Sequence, residues 1–261
     1  MFPTRLHQLW REDQAAVAGW LMLNQPLVAE AVARAGFDAV VIDMQHGLSR
    51  DGDLVGLLQA IGQTPATPLV RVPANEAAVI GRALDAGAEG VIVPLVSTPE
   101  EAARAVAACR YPPQGTRSYG PVRASLLADG AGGYGGGAAY TDHANTHVIC
   151  LVMIETAAGL ANVDAICATP GLDGVFIGPA DLGLALGLPA QLDQSAPAHT
   201  AAVAAIVAAC RQHGRVAGLF CNSPAFAAEK VRVGLRLVTL ETDLAALTRA
   251  HRERLQAFRE S

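Results

Sequence analysis

Eight short apolar runs, most of them followed by an Ala-rich stretch with helical periodicity, constrain this chain more than any other feature. The runs lie near residues 17–23, 39–42, 69–72, 91–93, 148–154, 174–177, 216–220 and 235–240. Several are unbroken Val/Ile/Leu segments without polar alternation, the pattern of parallel strands covered on both faces. Between them, residues 26–34, 76–86, 99–109 and 201–213 place apolar side chains along one helical face. Ser97 and Thr98 before Pro99, Glu100 and Glu101 form a helix start, and Gly36, Gly87 and Gly214 stand where helices should end. Alternating strands and helices imply a parallel sheet, and eight repeats imply a closed α/β architecture, the (β/α)8 TIM barrel. The competing doubly wound sheet lacks a G-x-G-x-x-G after its first strand. A chain of 261 residues suits one such barrel, so residues 1–261 read as a single domain.

Composition narrows the partners. Hydrophobic residues make up 51% and charged residues 16%, enough to fill one large core. The longest apolar run, residues 201–210, is half of the roughly 20 residues a spanning helix needs, so no membrane is expected. A formal charge of −5 leaves no basic stripe to neutralise phosphates, which argues against nucleic acid. Five cysteines, odd in number and without C-x-x-C spacing, read as reduced thiols. The opening MFPTRLHQLWRED has neither an apolar core nor a cleavage site, and a cytoplasmic protein is expected.

One segment breaks the rhythm. Residues 111–147 carry GTRSYGPVRA and then GAGGYGGGAA, too long for an ordinary connection. For the glycine-rich stretch, linker and lid stand level. Residues 117–123, with two Arg and a Tyr, read as a functional loop able to meet an anion. Asp142, His143 and His147 lack metal-ligand spacing and read as a solvated loop.

Barrel enzymes carry their chemistry in the loops that follow strand C-termini. Here Asp43, Gln45 and His46 follow AVVI, Arg71 ends PLV, Glu155 follows LVMI, and Asp181 follows VFIGPA. Two buried carboxylates repel unless a proton or a cation lies between them. With no Cys or His cluster beside them, Glu155 and Asp181 suit a hard or borderline divalent ion such as Mg, Mn or Co. The competing reading makes one of them an ion pair, or makes Asp181 the cap of the next helix. His46 beside Asp43 suggests an imidazole oriented by a carboxylate; the bland alternative is an inert loop histidine. Arg71 offers a planar fork for a carboxylate, or else pairs with an acid at a neighbouring strand end.

The segments GWLMLNQPLVAEAVARAGFDAVVIDMQHG, PLVRVP, LDAGAEGVIVPLV, RYPPQGTRSYG, MIET and GVFIGPADLGLALG follow one another over about residues 18–245. In these the sequence resembles the HpcH/HpaI aldolases, the metal-dependent class II pyruvate aldolases. The resemblance implies that Glu155 and Asp181 hold the metal and that Arg71 contacts the pyruvyl carbonyl oxygen. It implies that His46, paired with Asp43, is the general base, acting through a water. The Gly178, Pro179, Ala180 and Asp181 turn would bind the donor carboxylate through backbone N–H groups, with Trp20 close by. Asp85 would reach the neighbouring subunit's site within a homohexamer, and an additional C-terminal helix would pack in the oligomer.

The implied reaction cleaves or forms 4-hydroxy-2-oxo acids, with pyruvate or an analogue such as hydroxypyruvate as donor and an aldehyde as acceptor. A Schiff-base route needs a lysine, and the only one, Lys230, falls in a predicted outer helix. Met153 stands where the family often has Gln, and Gln45 where an acid often precedes the histidine. The segment LFCNSPAF also departs, so Leu219, Phe220 and Asn222 are the candidates for shaping the aldehyde pocket. Two readings stay open beside this one. An acyl-CoA lyase of the citrate-lyase type would have only Arg117 and Arg123 for the CoA phosphates, and a non-catalytic metabolite-binding barrel would need no base.

Overall fold

In the computed structural model, which describes residues 4–129 and 137–261, eight parallel strands close into a barrel in sequence order. They are β1 (Ala16–Leu21), β2 (Ala39–Asp43), β3 (Thr67–Arg71), β4 (Gly90–Val93), β5 (Ile149–Ile154), β6 (Gly174–Ile177), β7 (Val216–Leu219) and β8 (Leu237–Thr242). The early helices are α1 (Arg5–Arg11), α2 (Pro26–Arg34), α3 (Leu54–Ile61), α4 (Ala77–Asp85), α5 (Pro99–Cys109), α6 (Ala124–Asp129) and α7 (Gly137–His147). They are followed by α8 (Ala157–Ala161), α9 (Val163–Cys167), α10 (Pro179–Ala185), α11 (Pro197–Gln212), α12 (Pro224–Arg232) and α13 (Asp243–Glu260).

The unbroken apolar runs have a direct cause. Along each strand, side chains alternate between two cores, and both are buried and apolar. Val40, Ile42, Val70, Val91, Val152 and Val175 point outward and pack under the helices. Val41, Leu69, Ile92, Leu151, Met153 and Phe176 point inward and fill the barrel. The expected punctuation is in place: Thr98 accepts from the Glu101 N–H, and Gly36, Gly87 and Gly214 take positive φ after their helices.

Two local expectations are corrected, and one element is added. β1 stops at Leu21 because the Met22 and Leu23 N–H groups turn to the Asp243 carboxylate, at 2.8 and 3.1 Å. The segment 111–147 is not one long loop, since it contains α6 and α7; residues 130–136 of its glycine-rich stretch lie outside the described residues. The short α1 had no apolar periodicity long enough to announce it. It closes the N-terminal end of the barrel, where Leu6 and Leu9 join the inner core and Trp10 donates to the Arg236 carbonyl at 2.9 Å.

The floor under α1 also overturns the solvated reading of His147. This side chain is buried at the end of α7, 6.2 Å ring to ring from His7, with Nε2 3.9 Å from Glu89 Oε1. Burial lowers His147 from 6.5 to about 4 and pushes Glu89 from 4.5 up to about 7. The folded state thus binds fewer protons at His147 than the unfolded chain does between about pH 4 and 6.5, so this group adds stability as pH rises there. Glu89 does the opposite, holding its proton up to about 7 and losing stability as pH rises from 4.5. The two slopes oppose each other. In Glu89→Gln the urea midpoint should climb between pH 4.5 and 6.5, and in His147→Leu it should fall over the same range. Parallel profiles in the two variants would show that the fold does not hold these groups neutral.

Candidate active site

Strand register builds the first half of the site. Asp43 and Arg71 are directly paired residues at the C-terminal ends of β2 and β3. Arg71 donates from Nε to Asp43 Oδ1 at 2.9 Å and from Nη2 to Oδ2 at 2.5 Å, a two-point clamp between buried groups. Oδ2 also accepts from Trp20 Nε1 at 3.2 Å, and Oδ1 accepts the backbone N–H groups of Gln45 and His46 at 3.0 and 3.2 Å. Burial would raise the Asp43 carboxyl, but the hydrogen bonds and charge of Arg71 hold it below the usual carboxylate range. Arg71 keeps Nη1 without a partner among the described residues, and its guanidinium lies 4.9 Å over the Trp20 ring.

This corrects one pairing. Asp43 does not orient the His46 imidazole, because its oxygens serve Arg71, Trp20 and the backbone of the turn. The His46 ring is exposed and makes no hydrogen bond to a described residue, and Gln45 Oε1 beside it is buried without a partner. The structural alternative for Arg71, a pair with a strand-end acid, is realised while one nitrogen stays spare.

Glu155 and Asp181 form the second half. Glu155 is buried just past β5, and its Oε1 accepts the Leu95 N–H at 2.7 Å. Leu95 holds φ at +57°, a conformation rare for a non-glycine residue and a local strain spent on aiming that N–H. A Cβ on Gly178 would lie 2.4 Å from Glu155 Oε2 and 3.0 Å from the Met153 methyl, so only glycine leaves room for the carboxylate. Asp181 is the third residue of α10, not its N-cap, which is Gly178. Its carboxylate accepts no hydrogen bond from a described residue. Burial first, then the Asp181 charge, push the Glu155 carboxyl up against the Leu95 bond and Arg71. No cluster of three or more His, Cys, Asp or Glu side chains suited to a metal occurs among the described residues. Two oxygen donors with open positions around them fit a hard cation that also takes ligands from substrate.

Both halves, apart from Glu155 itself, line a cleft of about 230 Å³ together with Trp20, His46, Pro179 and Ala180. The scale suits a small metabolite rather than a large cofactor. Trp20 stacks on Phe176 at 5.6 Å and meets Phe220 edge-on at 5.2 Å, forming an apolar floor. Leu219 does not line it: this side chain points into the outer core, and Phe220 takes the inward position. Met22 and Phe176, inside segments that carry the family resemblance, and Leu192 and Thr242, outside them, also line the cleft.

Asp85 lies at the opposite end of the barrel, at the close of α4, where Arg117 donates to it at 2.7 Å. Arg117 is buried between the Tyr111 and Tyr140 rings, and Arg123 donates to the Ala86 carbonyl at 2.9 Å. The 117–123 segment therefore braces α4, and its arginines are not held ready for an anion.

A closed eightfold barrel with acid, arginine and histidine at strand ends defines a recognisable class. The model of the HpcH/HpaI aldolase/citrate lyase family matches residues 17–250, and the chain belongs to this family. Among its relatives, a hydroxypyruvate/pyruvate aldolase of Rhizorhabdus wittichii is 42% identical over 249 residues, 95% of this chain and 96% of the relative. A 5-keto-4-deoxy-D-glucarate aldolase of Salmonella paratyphi A is 34% identical over 259 residues, 99% and 98% of the two chains. A solved HpcH/HpaI aldolase/citrate lyase family protein of Burkholderia cenocepacia is 36% identical, with a TM-score of 0.89 over 97% of this chain and 98% of that one.

Every atom facing the Asp43 carboxylate is a donor, so an amide there would set N–H against N–H. Asp43→Asn should cost about 3–5 kcal/mol in urea unfolding, against less than about 1 for Arg34→Ala at an exposed pair. Equal, small losses in both would show that the Asp43–Arg71 clamp does not organise the site.

Proposed function

We propose that this chain catalyses reversible aldol cleavage of 4-hydroxy-2-oxo acids, with pyruvate or hydroxypyruvate as donor and an aldehyde as acceptor, using a divalent metal held by Glu155 and Asp181. One observation carries the reading: a buried carboxylate and an unpartnered one share a strand-end site with an arginine that has a nitrogen to spare. When bound, the metal would act as a Lewis acid on the 2-oxo group and balance the charge of the enolate. Mg, Mn and Co all suit two carboxylates.

The chain's own groups divide the remaining work. Glu155 is held by Leu95 with Oε2 over the bare Cα of Gly178, so its ligating edge is fixed before anything binds. Arg71 keeps Nη1 for the oxygen on which negative charge develops. The Ala180 and Asp181 N–H groups, free in the first turn of α10, take the donor carboxylate; Pro179 shapes the turn and has no N–H to give. That turn is anchored from behind by buried His199, which donates to the Pro179 carbonyl at 3.2 Å. His46 takes the proton of the 4-hydroxyl in cleavage and returns it to the aldehyde oxygen in condensation. Asp43 is a positioning residue, aligning Arg71 and the His46 turn, and Trp20 with Phe176 keeps water from the floor.

The same reading carries a cytoplasmic homohexamer in which Asp85 serves the next subunit's site. Its support is that Asp85 stands at the far end of the barrel from His46 and Arg71, and that α13 exposes Leu244, Leu247, Leu255 and Phe258. Lys230, paired with Glu229 at 2.9 Å on α12, has no access to the cleft, so a Schiff base has no amine. The acyl-CoA reading lacks its phosphate partners, because Arg117 and Arg123 are engaged within the fold.

Pyruvate release from a 4-hydroxy-2-oxo acid should stop in EDTA and return with Mn²⁺, Mg²⁺ or Co²⁺. Glu155→Ala should lose more than the roughly 10–100-fold typical of changes one shell further out. Turnover that ignores both chelator and Glu155→Ala would overturn the mechanism.

A further inference from the structure

The donor half of the cleft is rich in charge, and the acceptor half is not. Beyond Arg71 and Asp181, the mouth is lined by Met22, Leu192 and Phe220, with Thr242 as its neutral polar group. Leu192 stands there 39% exposed, on the segment between α10 and α11. An apolar side chain left at the entrance of a charged site is a surface for carbon rather than for a carboxylate.

The charges around that mouth point the same way. Asp193, next to Leu192, accepts the Asn222 N–H at 2.7 Å, and Asp243 accepts from Met22 and Leu23. Asp43, Glu155, Asp181 and Glu241 add further carboxylates at or just past strand C-termini. Of the arginines near it, Arg71 is paired with Asp43 and Arg249 with Glu241 and Glu253, while Arg50, outside the cleft lining, donates from Nη1 to the Gly47 and Ser49 carbonyls. A bound dication offsets Glu155 and Asp181, Arg71 offsets Asp43, and the carboxylate of the donor is left over. Arg71, paired with Asp43, is the one arginine or lysine among the described residues lining the cleft, so a second carboxylate on the acceptor would meet no second guanidinium or ammonium there.

We infer that the acceptor is a short neutral aldehyde, alkyl or hydroxylated, and that aldehydes ending in a carboxylate are discriminated against by the Leu192 wall and the acidic rim. This rests on the aldolase reading above. The Thr242 hydroxyl accepts from the Ala245 N–H at 3.2 Å and keeps its proton to donate, which suits a hydroxyl or carbonyl on the acceptor.

The test compares two four-carbon aldehydes, butanal and 4-oxobutanoate, with saturating pyruvate and Mn²⁺. The unaltered protein should show kcat/KM at least about tenfold higher for butanal, and raising ionic strength should narrow that gap by screening the rim. Leu192→Arg should raise the ratio of kcat/KM for 4-oxobutanoate to kcat/KM for butanal about tenfold. Equal or better use of 4-oxobutanoate by the unaltered protein overturns the inference, whatever the variant does. So does a ratio that neither Leu192→Arg nor salt moves. Deuterium uptake at the pyruvate methyl group without aldehyde separates the two failures. Uptake with a reversed acceptor preference removes this inference alone, and absence of uptake removes the aldolase reading with it.

Discussion

One carboxylate organises the mouth of this barrel. Asp43 carries a charge that water does not reach, and a buried charge is tolerated only when its partners are well placed. Five donors converge on it from β1, β3 and its own turn. Its demands fix the register of β2 against β3, the tilt of the Trp20 ring, the edge that Arg71 leaves spare and the backbone that carries His46. A slip of one residue in that register would send Asp43 into the outer apolar shell and Val70 or Val72 to the rim. Function and fold are thus specified by the same contact.

The strand ends were legible in the sequence because physics writes them plainly. A run such as AVVID stops being apolar where the barrel opens, so a polar residue after a dry strand marks the rim. The glycines after α2, α4 and α11 were legible for a similar reason, since few other residues take a positive φ. Leu219 and Phe220 show where such reading fails. Alternation in a strand says that one of two neighbours faces inward, but which one depends on register, and both are apolar here. The partner of Asp43 was equally hidden. Proximity in sequence favoured His46, whereas the contact is made across the sheet by Arg71, 28 residues away.

Other features had no local signature at all. Leu95 looks like any residue leaving a strand, yet its left-handed backbone is what delivers an N–H to Glu155. Met22, Leu192 and Thr242 come from three separate segments and meet only because the barrel closes. The arginines of residues 117–123 invited an anion-binding reading, but bracing α4 is work that only the tertiary structure displays. Contacts made over long sequence separation carry the information that the pattern of apolar residues lacks.

The two tryptophans sit at the two ends of the barrel axis. Trp10 is tied to the Arg236 carbonyl under the floor, and Trp20 lies beneath the Arg71 guanidinium at the mouth. Their indoles meet different surroundings, one at the edge of the plug and one among Phe176, Phe220 and a cation. The chain therefore contains its own pair of optical gauges. Emission isolated with Trp10→Phe follows events at the mouth, and emission isolated with Trp20→Phe follows the seating of α1, so the opening of one end can be watched while the other stays shut.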